Sequence, residues 1–486
     1  MQKIRTSSAV ELLVPLRRDG PRALHGQLEQ QLRDAVRTGR LPAASVLPST
    51  RALALELGVS RGIVVEAYEQ LVAEGYLASR PGGTTSVAAA ATAATVRPPQ
   101  PEGVPFSIDF RPGRPDLDQF PRRVWLRCIR RVLNEAPSAR FGYLDGRGVP
   151  ELREALAGYL NRVRFTAADP ERIVISTGFS QGLTLVARVL AASGARRIGL
   201  EDPSYDEARA MVGATGLRVI GIPVDESGIR VDLLDGANVD AVVVTSAHQY
   251  PTGGVLPPER RAALVAWARG RNALIVEDDY DAEYRYDREP VGAIQGLCPD
   301  RVVYAGSASK ILAPGLRLGW LVAPGRIVED IAQAKKAADQ GSAAIDQLAF
   351  ADFIASGELD RHLRRVRPMY RRRRDVLLTA LARHLPEFLP VGASAGLHVL
   401  AWLPPALDEA DLVRVAADAG IGLRGLASHR IAPGGRGGII FGYGSVSETE
   451  IAKGVRQLAT LAAAVSHGAG RVRREPRSSL RRGKRH

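Results

Sequence analysis

Apolar positions at Leu24, Leu28, Leu32 and Val36 fall on every fourth residue of LHGQLEQQLRDAVRTGRL and predict an amphipathic helix. A second helix fits RALALELG from Arg51, closed by Gly58, a residue that tolerates the backbone of a helix end. Ser60 is then placed to cap a third helix, through IVVEAYEQLVAEG to Gly75. Two helices joined by so tight a Gly-containing turn predict a helix-turn-helix. Beyond them, YLASRPGGTTSVA predicts two short strands about a Pro-Gly-Gly turn, a β-wing.

The pattern changes twice more. Residues 86–105, SVAAAATAATVRPPQPEGVP, carry small residues and then prolines with no apolar period, which reads as a linker. From about residue 106 apolar strands alternate with helical stretches. The strands are RIVIST (172–177), RIGLED (197–202), AVVVTSA (241–247), ALIVEDD (273–279), RVVYAGS (301–307) and LGWLVAP (318–324). Their apolar runs are continuous, so both faces are buried, as in a parallel sheet covered by crossover helices. Four parts follow: a winged helix-turn-helix over 1–85, the linker over 86–105, a large α/β domain over 106–468, and a polar tail over 469–486.

Composition narrows the class. The chain has 486 residues, 45% hydrophobic and 24% charged, enough for several globular domains and too apolar for global disorder. No apolar run approaches the ~20 residues that span a bilayer, and the N-terminus lacks a signal-peptide core. The two cysteines cannot form a disulfide framework, so a cytoplasmic protein is expected. Of the net charge of +14, the last 16 residues, from Arg471, carry +7 and are expected to be disordered. Such a tail either meets nucleic-acid phosphates or serves only as a solubilising extension.

In parallel sheets ligands bind beyond the carboxyl ends of the strands, so the residues just after each apolar run matter most. Gly178-Phe179-Ser180-Gln181-Gly182 follows the first strand. It fits three readings equally: the nucleophile elbow of a serine hydrolase using Ser180, an anion site at a helix N-terminus, or a plain turn. Asp278, Asp279 and Asp281, with Tyr280 among them, end another strand and call for a cation or polar partners. There is no HExxH, paired histidine or cysteine pair, so no metal site is expected. Ser307-Ala308-Ser309-Lys310 follows a third strand, with Arg317 seven residues on. A desolvated lysine there suits a Schiff base, and Arg317 a phosphate clamp. Pyridoxal 5'-phosphate (PLP) needs this set: Lys for its aldehyde, Asp for its ring nitrogen, and the remainder for its phosphate.

SASKILAPGLRLGW resembles the Schiff-base lysine segment of fold-type I, class I aminotransferases, and EDDYD their ring-nitrogen aspartate segment. LPSTRALALELGVSRGIVVEAYEQLVAEGYLASRPGG resembles the winged helix-turn-helix of GntR-type repressors. In this order, with HQYPTGG and EDPSY, the chain resembles the MocR-type regulators of the GntR family over about residues 11–460. The resemblance implies an α/β fold-type I domain with a mostly parallel sheet and a small C-terminal subdomain. It also implies a homodimer, an operator in double-stranded DNA, and PLP as effector. Similarity to the PdxR branch implies control of vitamin B6 and PLP supply.

Residue by residue, the resemblance makes Lys310 the Schiff-base lysine and Asp278, ahead of Asp279, the partner of the ring nitrogen. Tyr280 would bond the ring hydroxyl and Tyr205 stack on the ring. Phe179, Ser180, Gln181, Ser307, Ser309 and Arg317 would surround the phosphate, and Tyr143 would reach the phosphate of the partner subunit. Two positions depart from the aminotransferase pattern. Tyr250 stands where enzymes carry Asn before the Pro, and Gly438 where they carry the arginine for the substrate carboxylate. A working aminotransferase with an appended DNA-binding domain is the alternative reading. In the N-terminal domain, Ser60, Arg61 and Gly62 should lie nearest the base edges, with Ser49, Thr50 and Arg51 on the backbone and Arg80 in the wing. Residues 1–85 carry only +3, so binding calls for dimerisation. The stretch 361–377, rich in arginine, reads as a long solvated helix.

Overall fold

The computed structural model describes residues 3–5, 11–13, 16–17, 23–79, 84–88, 106–286 and 291–472. Two compact units divide the chain, one within residues 1–104 and one within 105–486.

The first unit is built on three helices, α1 (Leu24–Arg37), α2 (Thr50–Leu57) and α3 (Arg61–Ala73). Leu28, Leu32 and Val36 on α1 meet Leu53 and Leu57 on α2 and Val64 and Leu71 on α3 in one core. Gly58 closes α2 with φ 62°, and its amide and that of Val59 return to the last turn of the helix. Arg33 on α1 grips Glu74 at 2.7 Å, just past α3. The wing strands Leu77–Ser79 and Thr85–Val87 pair antiparallel, so residues 86 and 87 belong to the wing and not to the expected linker. Residues 89–105 lie outside the described residues, as do Arg80 and 473–486.

The second unit holds an eight-stranded sheet. Its order is Ile173–Ser176, Gly319–Val322, Val302–Ser307, Leu274–Asp279, Ala241–Val244, Arg197–Asp202, Arg218–Asp225, Gly228–Ile229. Gly319–Val322 is antiparallel to both neighbours, and the two-residue edge strand is antiparallel to its own. Arg218–Asp225, a strand not among those expected, pairs parallel with Arg197–Asp202; it lies toward the edge and is only partly buried. A second, antiparallel sheet of four strands, including His398–Trp402 and Gly438–Gly442, forms the core of the small C-terminal subdomain.

The arginine-rich stretch lies in the helix Glu358–His384. It is less solvated than its composition suggests, because Arg373 and Arg374 turn inward. Arg373 donates to Asp116 at 2.7 Å, and Arg374 to the Ala393 carbonyl at 2.9 Å. The closing helix Glu448–Val472 includes residues 469–472 of the expected tail.

One buried ion pair ties the sheet to the helix Pro150–Arg164. Arg164 Nε donates to Asp279 Oδ2 at 2.7 Å, Tyr304 donates to the same oxygen at 2.8 Å, and both charged side chains are 3% exposed. Removing one member of such a pair strands the other charge in low dielectric. Arg164→Leu is therefore expected to lower the unfolding free energy of this unit by about 3–5 kcal/mol in urea denaturation. An unchanged midpoint would mean that Tyr304 alone satisfies Asp279.

Candidate functional site

The carboxyl ends of five strands open onto one cavity of about 330 Å³, lined in part by Phe179, Ser180, Tyr205, Asp278, Lys310 and Arg317. Strand Val302–Ser307 runs directly into the short helix Ala308–Ile311, which carries Lys310 over the sheet edge. Lys310 Nζ donates to the Gly113 carbonyl at 2.9 Å. Burial lowers its pKa, and the carboxylates of Asp278 and Asp281 oppose that shift. Burial thus favours the uncharged, nucleophilic amine.

Asp278 lies inside a strand whose successive side chains alternate between faces. Glu277 and Asp279 point one way, into protein donors: Glu277 accepts from Ser246, Ile294 N and Gln295 N, and Asp279 from Arg164 and Tyr304. Asp278 points the other way, to the cavity, and has no hydrogen bond or ion pair among the described residues. Burial first, and then the charge of Asp279, push its carboxyl well above the ordinary range. A cationic ring nitrogen is the group that would turn this penalty into a charge-assisted bond.

The opposite end of the cavity suits an anion. Helix Phe179–Ala192 starts here, capped by Gly178 at φ 108°, so its first backbone N–H groups face the cavity end. A Cβ on Gly178 would stand 3.2 Å from the Arg317 guanidinium, so glycine lets arginine and helix end close on the same space. Ser180, Ser307 and Ser309 line the same wall. Gln181 does not: its Oε1 accepts from Thr177 N at 2.9 Å and its Nε2 donates to Asp339 at 2.8 Å, behind the helix end. Ser180 lies within the regular helix rather than on a strained elbow, and no histidine bonds it among the described residues. The hydrolase alternative is left without its base.

Tyr280 lines the cavity with its hydroxyl 2.9 Å from His248 Nδ1 and 3.0 Å from the His248 carbonyl, to which it donates. Asp281 holds the same imidazole nitrogen at 3.1 Å. Burial opposes charge on His248, but Asp281 outweighs it and raises the imidazole pKa. His398 completes a cluster whose potential ligand atoms lie within 4.8 Å of one another. As the side chains lie, His248 pairs with Asp281 and His398 Nε2 faces the Pro251 carbonyl at 3.2 Å. Tyr205 also lines the cavity, hydrogen-bonded to Glu207, with its ring 6.5 Å from that of Phe179. Tyr143 is 95% exposed and apart from the cavity lining.

Sequence reasoning gave no cofactor-site role to Gly113 or His398, which line the cavity across long chain separations, nor to His248, which it saw only as part of HQYPTGG and which bonds Tyr280 from behind the lining. Asp281 was visible only as one acid of three. An unmatched buried carboxylate, a desolvated lysine, and a helix end with an arginine and serines together fit PLP. On the last strand, a Cβ on Gly438 would meet Leu400 at 2.9 Å and Leu426 at 3.4 Å, away from the cavity. Arg430 donates to the Arg436 carbonyl and Arg436 to that of Leu403, so neither replaces it. Arg317 is the one arginine lining the cavity among the described residues.

In the first unit, Ser60 caps α3 in extended conformation without using its side chain, and Arg61 and Gly62 are exposed beside it. Arg61 Nε reaches Thr50 Oγ1 at 3.4 Å, Ser49 Oγ caps α2 by accepting from Ala52 N, and Arg51 is exposed on the first turn. The start of α3 therefore presents an exposed arginine beside the uncommitted Ser60 hydroxyl, the kind of helix end that reads a groove.

Residues 108–439 match the family model of class I and II aminotransferases, and residues 24–87 that of the gntR family of bacterial regulatory proteins. The chain is 34% identical over 450 residues to the HTH-type pyridoxine biosynthesis transcriptional regulator PdxR of Corynebacterium glutamicum, covering 90% of this chain and 96% of the relative. It is 32% identical to the probable rhizopine catabolism regulatory protein MocR of Rhizobium meliloti, covering 92% and 95%. Among solved structures, the multiple substrate aminotransferase of Thermococcus profundus superposes with a TM-score of 0.69 at 28% identity, over 74% of this chain and 92% of that one.

Next to the cavity, Glu201 is buried against Thr245 and Gln249, and burial pushes its carboxyl up to about 7. A carboxyl raised above its unfolded value is protonated more readily in the folded state, so its contribution to stability is full below the unfolded pKa and is lost as pH rises to about 7. Glu201→Gln should remove that loss, leaving the variant ~1–3 kcal/mol more stable relative to the parent at pH 8 than at pH 4. Parallel denaturation curves across this range check it; a constant difference would show that Glu201 does not titrate there.

Proposed function

The chain belongs to the class I and II aminotransferase family and to the MocR-type regulators that carry a gntR-type DNA-binding domain, and we propose that PLP in the cavity around Lys310 sets its DNA affinity. It is a transcriptional regulator, and its aminotransferase-like unit binds PLP. When bound, the cofactor supplies an aldehyde that reacts with an amine and an electron-withdrawing ring. Lys310 Nζ is the amine that captures it, Asp278 holds the proton on the ring nitrogen, and Tyr280 faces the ring hydroxyl. The Phe179–Ser180 helix end, Ser307, Ser309 and Arg317 bind the phosphate, and Tyr205 covers the ring.

The observation that carries the reading is the cavity's charge inventory. Every cofactor group has a matching side chain, but among the described residues the one lining arginine belongs at the phosphate end, leaving no other lining arginine there for the carboxylate of an amino-acid substrate. Such a site holds PLP without a built place for the second substrate of transamination. This favours a sensor over an enzyme. The name of the Corynebacterium relative supports pyridoxine biosynthesis genes as targets. We take the regulator to be a homodimer acting on two half-sites. The exposed Tyr143 stands where the resemblance puts a residue that reaches a partner. A regulator of this kind acts in the cytoplasm, where bacterial DNA lies; among the described residues no helix is long and apolar enough to cross a membrane.

An effector shifts DNA affinity only by preferring one conformation. Loading with PLP should change affinity for DNA upstream of the gene by about 5- to 150-fold, and Lys310→Ala should abolish both that change and the cofactor's visible absorbance. Equal affinities with sustained amino-group transfer to a keto acid would favour the enzyme instead.

A second test isolates the DNA side. Arg61→Ala should weaken binding and lower the slope of log affinity against log salt by about one, with PLP binding unaltered. An unchanged slope would place Arg61 off the phosphates.

A further inference from the structure

Lys335 is fully buried, at 0% exposure, in the helix Val328–Asp339, and takes no part in lining the cavity. A buried ammonium is costly unless paired. Its partner is Asp339, at 2.6 and 2.7 Å to the two carboxylate oxygens. Asp339 ends that helix and accepts also from Gly341 N at 2.9 Å. Gln181 is its third partner, donating from Nε2 to Oδ2 at 2.8 Å, and Gln181 Oε1 in turn holds Thr177 N at 2.9 Å. Partial burial works against charge on Asp339, but Lys335 and Gln181 more than offset it and hold the carboxyl below its ordinary range.

Thr177 immediately precedes Gly178, the turn on which Arg317 closes. The turn is pressed from the other side as well, because a Cβ on Gly319 would stand 2.7 Å from Gly178 Cα. Ser176 Oγ also donates to the Gly178 carbonyl at 3.1 Å. The chain Lys335–Asp339–Gln181–Thr177 reaches the turn from behind.

We propose that Lys335, Asp339 and Gln181 form a strut that positions the Thr177–Ser180 turn for the cofactor phosphate, with Gln181 acting as a positioning residue and not as a ligand. The inference rests on the reading of this helix end as the phosphate seat. A strut of this kind affects recognition of the phosphate and leaves the capture of the aldehyde by Lys310 alone. Pyridoxal, which has the aldehyde and ring without the phosphate, therefore separates the two.

Affinities for PLP and for pyridoxal are measured by absorbance titration of the full-length protein, for the parent and for three variants. Arg317→Ala is the control for the seat: its preference for PLP over pyridoxal should fall at least tenfold, roughly the worth of a charge-assisted phosphate contact. Gln181→Ala and Lys335→Met should lower the same preference by about fivefold, near the net value of one such hydrogen bond, with pyridoxal affinity unchanged. Loss of preference in Arg317→Ala but not in Gln181→Ala would overturn the strut while sparing the seat. An unchanged preference in Arg317→Ala would overturn the seat itself. Equal losses for both ligands in Gln181→Ala would also overturn the strut, as they report general loosening. Gln181 is partly exposed, so its truncation tests the idea even if Lys335→Met fails to fold.

Discussion

Three consecutive carboxylates at the end of a buried strand dictate much of the second unit. Glu277, Asp278 and Asp279 are exposed by only 1%, 9% and 7%. Charges so deep persist only where hydrogen bonds or counter-charges meet them. Glu277 is met by two backbone amides of the 294–295 turn, and Asp279 by the last residue of the Pro150–Arg164 helix and by Tyr304. Those bonds fix a turn and a helix against the back of the sheet. The pleat then aims Asp278 to the front, where no hydrogen bond among the described residues meets its carboxyl and Lys310 acts on it only through space, beside the cavity that a cofactor ring would fill.

Much of this was legible in the sequence, for reasons that differ by region. The winged helix was legible because its signals are local: a stripe of leucines, a glycine at φ 62° ending α2, a serine opening α3. Asp278, Lys310 and Arg317 were legible because strand ends and a short motif bring them out at one edge. The reversed strand Gly319–Val322 was not, since buried parallel and antiparallel strands carry the same apolar run. Gln181 was assigned to the phosphate by its place in a motif, but sequence spacing cannot say which way a side chain on the first turn of a helix faces. His398 and Gly113 lie far from the other cavity residues in sequence, and only the packing of the small subdomain against the sheet brings them in.

The small subdomain also touches the cofactor's surroundings through the backbone. Ser204 N donates to the His429 carbonyl at 3.0 Å, and Ile431 N and Ala432 N donate to the Asp202 carboxylate at 2.7 and 2.8 Å. Arg209 adds a bond to the Arg430 carbonyl at 2.7 Å. These contacts flank Tyr205. The stretch that presents Tyr205 to the cavity is therefore tied by hydrogen bonds to the small subdomain.

Gly438 places a different kind of limit on the molecule. A side chain begun there enters the small cluster of Leu400, Leu426 and Ile440, and those leucines are completely buried. An arginine at this position would have to drive its stem through close-packed hydrocarbon before its guanidinium could look toward the cavity. Room for a longer side chain would come only if those leucines shrank, and each shrinkage alone opens a void. The packing of three apolar side chains thus decides, before any chemistry does, what position 438 can carry.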